Sequence, residues 1–124
     1  MIISIAQIVT VLVALLHCYF LWLEMFAWTT KARKVFRNFP QDLFVPTKSM
    51  AANQGLYNGF LAAGLFWSLL ISSPIWSSNV ALFFLVCVLV AGIYGGVTVS
   101  KKIFLIQGAP ALVGILLWLS VKFI

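Results

Sequence analysis

Fifty-two consecutive residues, Ser49 to Ser100, carry no formal charge, and the chain around them is 64% hydrophobic. A 124-residue soluble domain has too little interior to hide so much apolar sequence. Four apolar runs lie at about 3–27, 50–72, 79–99 and 103–123, each close to the roughly 20 residues that cross a hydrocarbon core. Backbone polar groups in lipid must be satisfied within the segment, so the runs are expected to be helices. The expected fold is therefore all-α: a single integral membrane domain over residues 1–124, built as a four-transmembrane-helix bundle.

Charge placement sets the expected orientation. The net charge is +6, with Lys31, Arg33, Lys34, Arg37 and Lys48 between the first two runs and Lys101 and Lys102 between the last two. Basic loops stay in the cytoplasm, so both termini are expected outside (N-out/C-out). Lys122, at the outer end of the last run, is the one basic residue against this scheme. The partners that fit the loop charge are membrane phospholipids of the cell (inner or plasma) membrane. No aromatic-basic surface of the kind that binds nucleic acid accompanies it, so none is expected as a partner. The stretch up to Leu23 lacks a basic leader and a small-x-small cleavage site, and reads as a retained first span.

The first loop, about residues 29–49, alternates Lys31, Arg33, Lys34 and Arg37 with Val35 and Phe36 before Pro40 ends any helix. That pattern predicts a short amphipathic turn on the inner headgroups, with Thr47 or Ser49 capping the second helix. Among the tryptophans, Trp28 fits the inner interface, and Trp67, Trp76 and Trp118 fit the outer half or rim. Trp22 is expected to pack between helices. Cys18 and Cys87 fall mid-run with no Cys-x-x-Cys spacing and read as small packing residues. Gly55, Gly59, Gly92 and Gly96 form small-xxx-small pairs that let helices approach, within the chain or between copies in a homo-oligomer.

Polar side chains inside apolar runs are expensive and mark the places to search. Thr10, His17 and Glu24 recur every seven residues and share one helix stripe, with about 10 Å between neighbours along the axis. Asn53 and Tyr57, and Gln54 and Asn58, form two i, i+4 pairs on the second helix. Tyr94 on the third helix and Gln107 on the fourth fall at the same expected depth. Pro110 leaves the carbonyl of Ile106 without its usual donor beside Gln107. Together these residues predict a polar pocket open to the cytoplasm, with His17 towards its floor. The alternative is interhelical hydrogen bonding with no ligand, or, for Glu24, pairing with Lys48.

A pocket of this kind suits acid/base chemistry on a lipophile. His17, Glu24 and Tyr57 are the candidate catalytic groups of an isomerase or hydratase type. Trp28, Asn53, Gln54, Asn58, Tyr94 and Gln107 are the candidate ligand-binding residues. One histidine and no carboxylate cluster predict neither a metal nor a haem, and no cofactor is expected. No Gly-x-Ser-x-Gly nucleophile is present. Two other functions fit the same residues: a structural or accessory membrane subunit packing through its glycine faces, and a small proton-coupled multidrug exporter using Glu24.

The runs Leu16-His17 through Glu24-Met25-Phe26-Ala27-Trp28-Thr29-Thr30, Ala51-Ala52-Asn53-Gln54-Gly55-Leu56-Tyr57-Asn58-Gly59, Ala91-Gly92-Ile93-Tyr94-Gly95 and Gln107-Gly108-Ala109-Pro110-Ala111 carry a resemblance across essentially the whole chain. The sequence resembles domain-of-unknown-function family 1304, small bacterial membrane proteins of four predicted helices. The resemblance implies that architecture and brings no assigned activity or catalytic residue.

Overall fold

The computed structural model describes all 124 residues. It is all-α, with helices α1 (Ile2–Phe26), α2 (Lys31–Val35), α3 (Lys48–Leu70), α4 (Pro74–Thr98) and α5 (Lys101–Phe123). Three of these, α1, α4 and α5, are long and apolar enough to cross a membrane. Helix α3 has the length, at 23 residues, but Asn53, Gln54, Tyr57 and Asn58 crowd its first half and lower its apolarity. The chain divides into two compact units, Met1–Ala14 with Leu61–Ile124 and Leu15–Phe60.

The first unit is held by small residues that let helices close on one another. Its core gathers Ala6, Val13 and Ala14 of α1, Leu65 of α3, Ala81, Leu85 and Val88 of α4, and Ala111, Ile115 and Trp118 of α5. A Cβ on Gly92 would lie 2.7 Å from the backbone nitrogen of Gly108, so α4 and α5 touch backbone to backbone. A Cβ on Gly96 would lie 2.8 Å from the Cβ of Phe104. Only glycine permits that approach.

Local sequence explains where these helices start and bend. Ser73 caps α4 by accepting the backbone N–H of Trp76 at 3.4 Å, with Pro74 following in the first turn, where its missing N–H costs nothing. Between Thr98 and Lys101 the chain breaks, and Ser100 accepts the N–H of Lys102 at 3.2 Å to start α5. The turn Phe104–Gly108 is π-helical, with Ala109 N–H bonded to the Phe104 carbonyl. This widened turn directly precedes Pro110 and carries Gln107, which accommodates the proline without ending α5.

One tryptophan, Trp22, lies elsewhere than the sequence predicts, and another, Trp118, has a partner the sequence does not name. Trp118 is buried, at 1% exposure. Its indole N–H donates to Thr10 Oγ1 at 2.9 Å, and the Thr10 hydroxyl donates in turn to the Ala6 carbonyl at 2.8 Å. The threonine thus gives the buried indole the acceptor it needs. Trp22 is 45% exposed and stacks on Tyr19, so it is not packed between helices.

The second unit centres on the connection between α1 and α3. Leu23, Ala32 and Phe44 are buried there, with Trp28, Phe36 and Phe39 against them. Trp28 lies 4.9 Å from the Phe44 ring centroid and donates its indole N–H to Thr47 Oγ1 at 3.0 Å. Arg33 donates to the Thr29 carbonyl at 2.7 Å and the Gln41 carbonyl at 3.0 Å while stacking on Phe44. The connection is therefore a folded aromatic cap, more ordered than an amphipathic turn. Lys31, Lys34, Arg37 and Lys48 remain exposed on it. Pro40 stops the preceding segment as expected and starts a 3-10 turn, Gln41–Leu43.

The tryptophan network should be measurable in thermal unfolding in mild detergent. Thr10→Val leaves the buried indole N–H without an acceptor and is expected to destabilise by about 1–3 kcal/mol. Leu12→Ala, on the exposed flank of the same helix, is expected to leave the transition in place. Equal, small effects at both positions would contradict the assignment.

Candidate functional site

Thr10, His17 and Glu24 do share one buried stripe of α1, at 0%, 1% and 6% exposure. An apolar helix turns its few polar side chains inward, since lipid offers them no partner. His17 lies edge-on to Phe20, with ring centroids 5.5 Å apart. Glu24 sits in the last turn of α1, where the helix dipole does nothing for a negative charge. Its partner has to come from another element.

Helix α3 supplies it through a glycine. Ala51, Gly55, Asn58 and Ala62 recur at i, i+4, i+7 and i+11, which places them on one face; Ala51, Gly55 and Ala62 are buried and Asn58 is half-buried. A Cβ on Gly55 would stand 2.8 Å from Met25 Cγ, 3.0 Å from Glu24 Cβ and 3.2 Å from the Leu21 carbonyl oxygen. No other side chain fits, and its absence brings the two helices together. Three residues further on, the Asn58 amide donates to Glu24 Oε1 at 2.6 Å. Gly59 continues the contact against Leu21. The glycine pair thus serves an approach within the chain, and its product is the Asn58–Glu24 hydrogen bond.

The remaining predicted residues divide differently. Asn53, Gln54 and Tyr57 are exposed on the other side of α3, and Tyr57 makes an edge contact with Phe60. The i, i+4 pairing in sequence does not bring Gln54 with Asn58 to Glu24, because only Asn58 falls on the Ala51–Gly55 face. Trp28 serves the aromatic cap. Tyr94 (71% exposed) and Gln107 belong to the first unit, Gln107 within the π-helical turn. Lys48 is exposed, and the hydrogen bond Glu24 accepts comes from Asn58.

Chemically, the site offers a carboxyl group with one oxygen engaged by a neutral amide. The second oxygen retains the capacity to accept a hydrogen bond or take a proton. An accessible polar strip (Asn53, Gln54, Tyr57) runs along the opposite flank of the same helix. Sequence reasoning overlooked two other polar pairings, Trp118 with Thr10 and Lys122 with Asn79. The first was signalled by Ala111, Ile115 and Trp118, which recur at i, i+4 and i+7 on α5 and mark its inward face.

The Asn58–Glu24 bond predicts a coupling between the two positions. Glu24→Ala, Asn58→Ala and the double variant form a cycle in which the interaction is expected to be about 1–3 kcal/mol. Asn53→Ala combined with Glu24→Ala is expected to be additive. Additivity at Asn58 as well would remove the pair from the account.

The pattern of the family described as protein of unknown function (DUF1304) matches residues 11–119. The "Uncharacterized protein YpaA" of Lactococcus lactis subsp. lactis (strain IL1403) is 32% identical over 111 residues, covering 88% of this chain and 92% of that protein. No solved structure matches. The match runs from residue 11, within α1, into the last turns of α5, and so includes the Glu24–Asn58 pair and Trp118, with Thr10 one residue before it. The chain belongs to the DUF1304 family of proteins of unknown function.

Proposed function

We propose that this chain is a four-span protein of the cell membrane, with termini outside and the α1–α3 connection in the cytoplasm, that binds a lipophilic small molecule along the outward strip of α3. Helix α3 counts as the fourth span because it has the required length, and the exposed Lys31, Lys34, Arg37 and Lys48 on the connection fit the cytoplasmic side. The observation that carries the function is the exposed strip of Asn53, Gln54 and Tyr57 on a helix whose inward face already holds Asn58 on Glu24. Side chains of this kind at the edge of lipid call for a polar partner. A molecule arriving sideways from the leaflet, with its apolar body along Phe60 and Leu56 and its polar group on the amides, meets that need.

In this arrangement the Asn53 and Gln54 amides and the Tyr57 hydroxyl orient the ligand. Glu24 is buried on the far side of α3 from this strip, and its part is to fix the rotation of α3 through Asn58. His17, buried two turns along the same stripe of α1, does not touch a ligand at the surface. If the bound molecule is converted, the chemistry is a proton transfer of the isomerase or hydratase kind.

A second reading rests on the same strip. Amides both donate and accept, so Asn53 and Gln54 on one copy complement those on another across a two-fold axis. The chain would then be a structural subunit of a homo-oligomer, joined by this face, with Gly55, Gly59, Gly92 and Gly96 setting the helix spacing inside each copy.

Native mass spectrometry of gently extracted protein separates the two. Wild type is expected to carry a defined lipophile that Asn53→Ala with Tyr57→Phe loses, while Ile93→Ala, on the exposed flank of α4, retains it. An unchanged ligand set together with loss of a dimer mass in the double variant would overturn ligand binding in favour of assembly.

A further inference from the structure

The first unit holds an open apolar groove between the end of α3 and the start of α4, lined by Trp67, Trp76, Asn79, Val80, Phe83 and Phe84. Trp67, Trp76 and Phe83 are exposed rings, at 56%, 61% and 63%. At its rim the Lys122 ammonium, from the last turn of α5, donates to the Asn79 side-chain carbonyl. An ammonium has three protons to donate, and this contact uses one.

Lys122 is the residue that stands against the charge pattern of the chain. It lies about 30 Å along α5 from Lys101 and Lys102, at 1.5 Å per residue. No Asp or Glu occurs anywhere in its unit, since Glu24 and Asp42, the two acidic residues of the chain, both belong to Leu15–Phe60. A lone cation fixed by an amide beside exposed indoles has the chemistry of an amphiphile site: positive charge for the head, flat rings for the chain.

We propose that Lys122, Asn79 and the groove of Trp67, Trp76 and Phe83 bind one anionic phospholipid. The phosphate takes the free ammonium protons of Lys122 and a proton of the Asn79 amide. One acyl chain lies along the three rings. The site is separate from the Asn53–Tyr57 strip, and it gives the off-pattern lysine a role that charge bias does not.

The test compares lipid adducts by native mass spectrometry in mild detergent with added dioleoylphosphatidylglycerol or dioleoylphosphatidylcholine. One phosphatidylglycerol is expected to bind wild type, with an affinity about five-fold above phosphatidylcholine, the worth of one cation near a headgroup. Lys122→Gln should abolish that preference, whereas Lys101→Gln with Lys102→Gln should leave it. Phosphatidylglycerol with brominated acyl chains should quench the emission of wild type more than that of Trp67→Phe/Trp76→Phe. A preference that survives Lys122→Gln, one lost with the Lys101/Lys102 change, or equal quenching in both proteins would each overturn the site.

Discussion

Glu24 depends on an amide that reaches it only because Gly55 has no side chain. The 2.6 Å hydrogen bond from Asn58 is the consequence of α1 and α3 touching at a point where a Cβ would stand 3.0 Å from that of Glu24. Once those helices meet there, the rest of the second unit follows. Ala51 turns inward with Gly55, Asn53 and Tyr57 turn outward, and the connection between the helices folds over Leu23 as an aromatic cap. A carboxyl inside an apolar span would otherwise be costly, so sequence and packing are coupled at this single contact. The first unit obeys the same constraint differently. There, Thr10 serves a buried indole, and Gly92 lets two backbones meet.

The elements were legible because apolar runs and charge-bearing breaks are strong signals. The inward stripe of α1 was legible because Thr10, His17 and Glu24 repeat at seven, a spacing that a helix converts directly into a face. The polar cluster was less so. Asn53, Gln54, Tyr57 and Asn58 are near neighbours in sequence, but a helix spreads them over an arc of about 140°, and only one edge of that arc meets α1. The face that wins is set by the small residues Ala51 and Gly55, and only Asn58 falls on it. Depth along a span does not give rotation about it, which is why residues predicted at one level need not converge.

Trp118 and Trp22 illustrate the same limit. Trp118 was placed by the preference of tryptophan for interfaces and Trp22 by its depth in the run, and neither rule names a specific partner. Trp118 is drawn inside by Thr10, an acceptor 108 residues away in sequence, while Trp22 finds its company in Tyr19 on the helix exterior. Helix α3 differs from the other long helices because its outward polar strip dilutes its apolarity. Among the long helices it is the one whose outward face carries a run of amide and hydroxyl side chains.

The separation of α3 into an inward and an outward face is the claim on which the second unit's assignments rest. Its most direct test is a spin-label scan of α3 in lipid nanodiscs, on a background with Cys18 and Cys87 replaced by serine. Oxygen accessibility at positions 53, 57 and 60 is expected to be high, and at 51, 58 and 62 low, giving a helical oscillation centred on Gly55. An oscillation shifted by half a turn, or none at all, would contradict the account.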